Sequence, residues 1–240
     1  QLTGSETIEY SNNSPDTLRN PSIKLLLNIH KPGAPRESGT SPNYLTDGVH
    51  IDECKVNGQT IQVRPDVFTN LPVKLPNPLA PDDSVQLAFN WHYEVSLQSG
   101  REGMIDSTTY FLAYFYPRVA VYDDYNGWDR MPFIESHEFY SDFNDYDVTI
   151  NVPKNYFVVG TGTLQHPENL LQPTFLKKYN ESFMSDQTVQ IVTKQDWQAK
   201  NVTTQNTVNS WQFTSTNVPD VAFGVSDHFN WDGCSVVVDD

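Results

Sequence analysis

The sequence predicts an all-β fold: a large antiparallel β-sandwich or saddle-shaped sheet with little helix. Three features point that way. Between Val85 and Gln98, Val85, Leu87, Phe89, Trp91, Tyr93, Val95 and Leu97 alternate with Gln86, Ala88, Asn90, His92, Glu94, Ser96 and Gln98. Such alternation puts the first set on a buried face and the second on a wetter one, as in a long half-buried antiparallel strand. Asn57-Gly58 stands between HIDECKV and QTIQV. A tight hairpin needs positive φ at both turn positions, which Asn and Gly tolerate. Sixteen prolines, four of them between Leu71 and Pro81, break the chain into short segments.

Taken in order, QLTGSETIEY reads as a strand. Ile23–His30, Tyr110–Tyr116, Val148–Val152, Tyr156–Gly160, Trp211–Thr216 and Val221–Val225 read as strands on their β-branched and aromatic content. KPGAPRESGTSPN, after His30, has the composition of a flexible connection. Helix is expected only within Gln172–Ser185, where Phe175, Leu176, Tyr179 and Phe183 fall roughly on one face. Gln187–Ala199 suits strand and helix equally. The closing CSVVVDD reads as a strand. No composition shift marks a boundary, so residues 1–240 are expected to form a single domain. Both ends read as elements in mid-course, which leads one to expect a piece of a longer protein.

Thirty acidic residues against 15 basic ones give a net charge of −15. That balance repels phosphate backbones, and no basic stripe offsets it, so nucleic acid is not an expected partner. No run approaches the ~20 apolar residues of a membrane helix, so membrane insertion is not expected either. The opening residues lack the charged and apolar regions of a signal peptide. Export of the parent, to the periplasm or beyond the cell, is left open. The two cysteines, Cys54 and Cys234, have no metal-ligand spacing. Buried free thiols are the first expectation and a disulfide the alternative.

No G-x-S-x-G elbow occurs, and the six histidines (His30, His50, His92, His137, His166 and His228) show no i, i+4 pair. The one His-Glu pair, His137-Glu138, reads HEFYS, with Ser141 where H-E-x-x-H needs histidine. No metal or other cofactor is therefore expected in this chain. His92, beside Glu94, reads as part of a surface ladder pair. The densest acidic region holds Asp123, Asp124, Asp129, Glu135, Glu138, Asp142, Asp145 and Asp147. Asp124-Tyr-Asn-Gly lacks the closing glutamate of a calcium loop and reads as a self-bonded turn. Arg118 is expected to pair with one of these acids.

Several segments occur together in a familiar order. GSETIEYSNNSPDTL (Gly4–Leu18), YPRVAVYDDYNGW (Tyr116–Trp128) and NVPDVAFGVSDHF (Asn217–Phe229) lie in sequence, and the likeness is strongest over Tyr116–Gly162. The chain resembles, over most of its length, the N-terminal β-domain of the aminopeptidase N (leukotriene hydrolase) family of zinc metallopeptidases, in its bacterial branch. The resemblance implies a saddle-shaped β-domain that docks on a catalytic domain absent from this chain and helps wall its cleft. Zinc, H-E-x-x-H and peptide hydrolysis would belong to that other domain, and this piece alone would be inactive.

The resemblance also implies a structural element at Arg118, Asp123, Asp124 and Trp128. Just upstream, the family uses Gln or Glu to hold the substrate's free α-amine. Here FLAYFYP offers Tyr114 instead, a hydroxyl where a carbonyl or carboxylate is usual, and the first expectation for it is an aromatic packed in a buried strand. Phe229 and Trp231 are the expected interdomain face. The rival expectation is a stand-alone β-sandwich module binding protein or carbohydrate. Tyr122, Tyr125 and Trp128, close together in an expected loop, would be its aromatic platform.

Overall fold

A computed structural model describes residues 1–97, 100–134 and 140–238. His137-Glu138 and Glu135 lie outside the described residues. The chain forms two compact units: unit 1 comprises Gln1–Gly103 and Tyr114–Asp142, and unit 2 comprises Met104–Ala113 and Phe143–Asp240.

In chain order the strands are β1 (Leu2–Ser11), β2 (Ser22–Lys24), β3 (Val49–Val56), β4 (Gln59–Thr60), β5 (Asn70–Pro72) and β6 (Ser84–Tyr93). Then come β7 (Gly103–Asp106), β8 (Thr109–Leu112), β9 (Arg118–Val119), β10 (Tyr122–Asp123) and β11 (Gly127–Trp128). The remainder holds β12 (Asn144–Pro153), β13 (Phe157–Gly160), β14 (Thr163–Leu164), helix α1 (Pro173–Ser182), β15 (Val189–Val192), helix α2 (Lys194–Gln198), β16 (Val208–Val218), β17 (Phe223–Ser226) and β18 (Trp231–Gly233). The fold is mostly β, in several antiparallel sheets with short helices between them.

Unit 1 is built on the sheet β1-β6-β3-β4. Leu87, Phe89, Trp91 and Tyr93 of β6 are buried, and Asn90 is exposed, as the alternation predicts. The strand is shorter than its pattern. Tyr93 pairs with Leu2 of β1 and Val49 of β3, the last partner on each side, and Leu97 is 63% exposed. Gly4 lies opposite Trp91, whose ring fills the space a Cβ would need. Asn57 and Gly58 have φ of 48° and 79° and close the β3–β4 hairpin as expected.

Two expectations for unit 1 need correcting. Ile23–His30 is not one strand: β2 ends at Lys24 and Leu26–His30 is a 3₁₀ helix. Residues 22–30 are buried throughout, polar Lys24, Asn28 and His30 included, so no exposed face sets a period. The connection after His30 is also pinned, because the Arg36 guanidinium donates to the Ile29 and Lys31 carbonyls.

Unit 2 contains the sheets β12-β16-β14, β13-β17-β8-β7 and β15-β18. Helix α1 falls within the expected stretch, with Phe175 and Tyr179 buried, Leu176 half-buried and Phe183 56% exposed. The ambiguous stretch after Gln187 resolves into β15 and α2. The break falls at Thr193, whose amide and hydroxyl both donate to the Asp196 carboxylate in a capping box. Cys234 to Val238 is not a strand, Val236 and Val237 are exposed, and both cysteines are free. Cys54 is buried in β3 as expected, but Cys234 is exposed, just past the end of β18 at Gly233.

Candidate functional site

The signature stretch begins beside a pair of buried cations. Arg118 on β9 stands directly opposite Lys24 on β2, and both are buried. The Lys24 ammonium lies 2.9 Å from the Asp129 carboxylate, with both side chains under one-tenth exposed, and also donates to the Met131 carbonyl. Arg118 donates to the Ser141 hydroxyl at 2.6 Å and lies over the Tyr116 ring. Like charges directly across a strand pair repel, so each cation needs its own partner. The acidic region supplies one of them in Asp129. Lys24 was not singled out in the sequence, although a lysine inside SIKLLLNI is a signal of a buried, paired charge.

Asp123 organises the β10–β11 turn. Its carboxylate accepts from the Tyr125 amide, the Asn126 amide and the Asn126 side chain at 2.8–2.9 Å. Those bonds, the Asn126 side chain first, hold the Asp123 carboxyl below the usual range. This is the self-bonded turn expected of the segment. Asp124 is exposed. Trp128 packs against Tyr10 and Tyr122, and Tyr122 donates to Asp16. Of the three aromatics expected as a platform, Tyr125 alone is open, at 91% exposure, while Tyr122 and Trp128 are half-buried. They form no flat face for a sugar or peptide.

Tyr114 is where the backbone departs from the ordinary. Expected within a strand, it lies beyond the end of β8, with φ of 62°. A bulky residue at positive φ is a genuine outlier, and such strain gathers where function holds it. Its half-buried ring packs against Phe133 and joins the cluster of Leu26, Ile29 and Phe133. Its hydroxyl receives a hydrogen bond from Arg101 at 2.9 Å.

Phe229 and Trp231 are both half-buried. Trp231 packs on Tyr179 and Trp211, and Phe229 lies against Gly224. The most open apolar groups of unit 2 are instead Met184, Val236, Val237 and Val238. Ser235 hydrogen-bonds the Ser185 carbonyl, which brings Met184 and Val236 to neighbouring positions.

The other histidines are dispersed. His30 meets Glu102 in a buried pair at 2.6 Å. His92 meets Asp52 rather than Glu94, and stacks on His50. Among the described residues no three His, Cys, Asp or Glu side chains form a group that could hold a metal. A shallow trough of ≈ 260 Å³ over β1, β6 and β3 is lined by Ser5, Thr7, Glu53, Lys55 and Asn90, among others. Three of its polar groups are spent on one another, since Glu53 accepts from both Lys55 and Asn90.

No family model matches this sequence, and no curated protein does. Among solved structures the chain is similar to an M1 zinc metallopeptidase from Deinococcus radiodurans, at 14% identity and a TM-score of 0.49. It is also similar to a mutant two-domain M1 zinc metallopeptidase bound to L-tryptophan, at 14% identity and a TM-score of 0.48. In both, 93% of this chain is covered. The chain spans 37% of the length of the first and 38% of the second.

Proposed function

We propose that residues 1–240 act as the non-catalytic N-terminal domain of an aminopeptidase N-like zinc metallopeptidase. The observation that carries this reading is the ordered set of matched segments, Gly4–Leu18, Tyr116–Trp128 and Asn217–Phe229. The mostly antiparallel β-fold and the buried Arg118 support it. In this reading the two compact units work as one domain, dock on the catalytic domain and help wall its cleft. Zinc is held by the other domain, where it would activate water and polarise the peptide carbonyl.

Tyr114 is the residue of this chain that would meet the peptide N-terminus. Its hydroxyl oxygen, which receives Arg101, is the atom that would meet the α-ammonium. The guanidinium repels that ammonium, so the contact is weaker than one to a carboxylate. Met184 and Val236–Val238 join Phe229 and Trp231 as residues for the docking face. The experiment is steady-state kinetics of the parent enzyme with Tyr114→Phe. Loss of an amine contact made equally in ground and transition states raises KM a few-fold and leaves kcat near its wild-type value. Unchanged KM would remove Tyr114 from the site.

A further inference from the structure

His228 in unit 2 stands in a cluster that the proposed function does not use. It lies between β17 and β18. Its Nδ1 is 2.7 Å from Oδ1 of Asp227, and its Nε2 is 3.2 Å from Oδ2 of Asp106. Asp106 ends β7, and Thr108 and Thr109 carry the turn into β8. The Thr108 and Thr109 hydroxyls each lie 3.3 Å from a ring nitrogen of His228. Below the ring, the buried Ser226 hydroxyl bonds Thr109 at 2.8 Å and accepts the His228 amide at 3.2 Å. Pairing of β17 with β8, Val225 opposite Tyr110, brings these distant segments together.

The protonation state follows from donor counting. A neutral imidazole carries one N–H and presents a lone pair at its other nitrogen. A lone pair facing a carboxylate oxygen is repelled. With a carboxylate at each nitrogen, only the imidazolium satisfies both. We propose that His228 is a proton-operated latch fastening the β7–β8 turn to the segment between β17 and β18. While the ring is charged, it ties Asp106 to Asp227. When it loses a proton, one tie becomes repulsive and the segment from Asp227 to Asn230 is released from the turn.

The surrounding charges favour the closed, protonated state. Asp227 is on the histidine's own segment and Asp106 on the turn. Tyr110 on β8 and Tyr156 ahead of β13 are the neighbouring phenols, and the carboxylates of Asp227 and Asp106 act on Tyr156. Helix α2 contributes Trp197, uncharged, edge-on to the ring at 5.7 Å. The hydrogen bond to Asp227, then the Asp106 charge, raise the His228 pKa above its ordinary value, with burial opposing. The Asp106 carboxyl is held low, first by the Thr108 amide and in smaller part by His228.

The sign of the pH dependence follows. A histidine whose pKa is raised in the closed state contributes fully below about pH 6.5, its value when released. That contribution is lost as pH rises from there through the closed-state pKa, about tenfold in the closing constant per pH unit. On the acid side, the Asp106 contribution is lost as pH falls through its lowered pKa.

The test is a ¹H–¹⁵N NMR titration of the histidine rings in the 240-residue chain, with amide exchange followed across the same range. Trp197 emission provides an optical readout, with Trp197→Phe as the blank. The latch requires His228 to titrate above the ordinary imidazole value. Exchange in residues 104–109 and 227–230, corrected for intrinsic pH dependence, should accelerate about tenfold per pH unit through that titration. Asp106→Asn should lower the His228 midpoint and already speed exchange at pH 6. His228→Gln should abolish the optical transition. If His228→Gln fails to fold, the wild-type titration and Asp106→Asn still decide. The proposal is overturned if His228 titrates at or below the ordinary value, or if exchange in both segments ignores its titration.

Discussion

Phe89 gives the sharpest energetic test of unit 1. It sits on β6, flanked by β1 and β3, opposite Glu6 on one side and Cys54 on the other, and is 1% exposed. A buried phenylalanine removes about 150–250 Å² from water. At about 25 cal/mol per Å² that is worth about 4–6 kcal/mol. Alanine keeps a small part of it, and Phe89→Ala should cost about 3–5 kcal/mol, the usual range for a cavity of that size. The next residue, Asn90, is exposed and donates one bond to the Glu53 carboxylate. Asn90→Ala should cost under about 1 kcal/mol.

Urea unfolding can be read through pulse-labelling of the Cys54 thiol in a Cys234→Ser background, which reports on unit 1. With a slope of about 1–3 kcal/mol per M, the Phe89→Ala midpoint should fall by about 1–5 M. The Asn90→Ala midpoint should barely move. Equal shifts would show that the two faces of β6 are equivalent and would refute the argument from alternation.

Three further outcomes are expected. Gly4→Ala drives a methyl into the Trp91 ring and should cost about 1–3 kcal/mol. Gly39→Ala, whose Cβ meets nothing within 4 Å, should stay within about 0.5 kcal/mol in the same thermal melt. Glu6 is half-exposed as a residue, but its Oε1 is sealed from solvent without a partner, and burial raises its pKa well above the ordinary value. Its ionisation therefore opposes folding as pH climbs from about 4.5 through the raised pKa. Glu6→Gln should match wild type in denaturant at pH 4 and exceed it at pH 8, and identical stability at both would contradict this. For the thiols, Cys54 is buried with its pKa pushed up to about 11, whereas Cys234 is exposed. A disulfide-exchange reagent should label one thiol in the native chain and two in denaturant.

The parts of the fold that were legible in sequence are those whose two faces differ. β6 declares its buried side because Asn90 and His92 meet water while Phe89 and Trp91 do not. Its end is not legible, since Val95 and Leu97 continue the pattern after β1 and β3 have run out of partners. Leu25–His30 is hidden for the opposite reason: it is buried all round, so a 3₁₀ helix and a strand look alike. The Asn57-Gly58 hairpin shows because its residues suit the turn, while Tyr114 takes positive φ with no such residue. At the site, the Asp123 turn is local and could be anticipated. Lys24 with Asp129, and His228 with Asp106, join segments about 100 residues apart, and only strand register brings them together.

The function we propose has this chain serve a zinc peptidase whose metal is held by another domain. The most direct measurement is zinc content and aminopeptidase activity after dialysis, for residues 1–240 alone and for the same residues joined to the polypeptide encoded beyond Asp240. The account predicts well under one zinc per chain and no hydrolysis for the first. For the second it predicts an H-E-x-x-H sequence, one zinc and chelator-sensitive release of N-terminal residues. Stoichiometric zinc with peptidase activity in the first, or a joined polypeptide that has neither zinc nor peptidase activity, would contradict it.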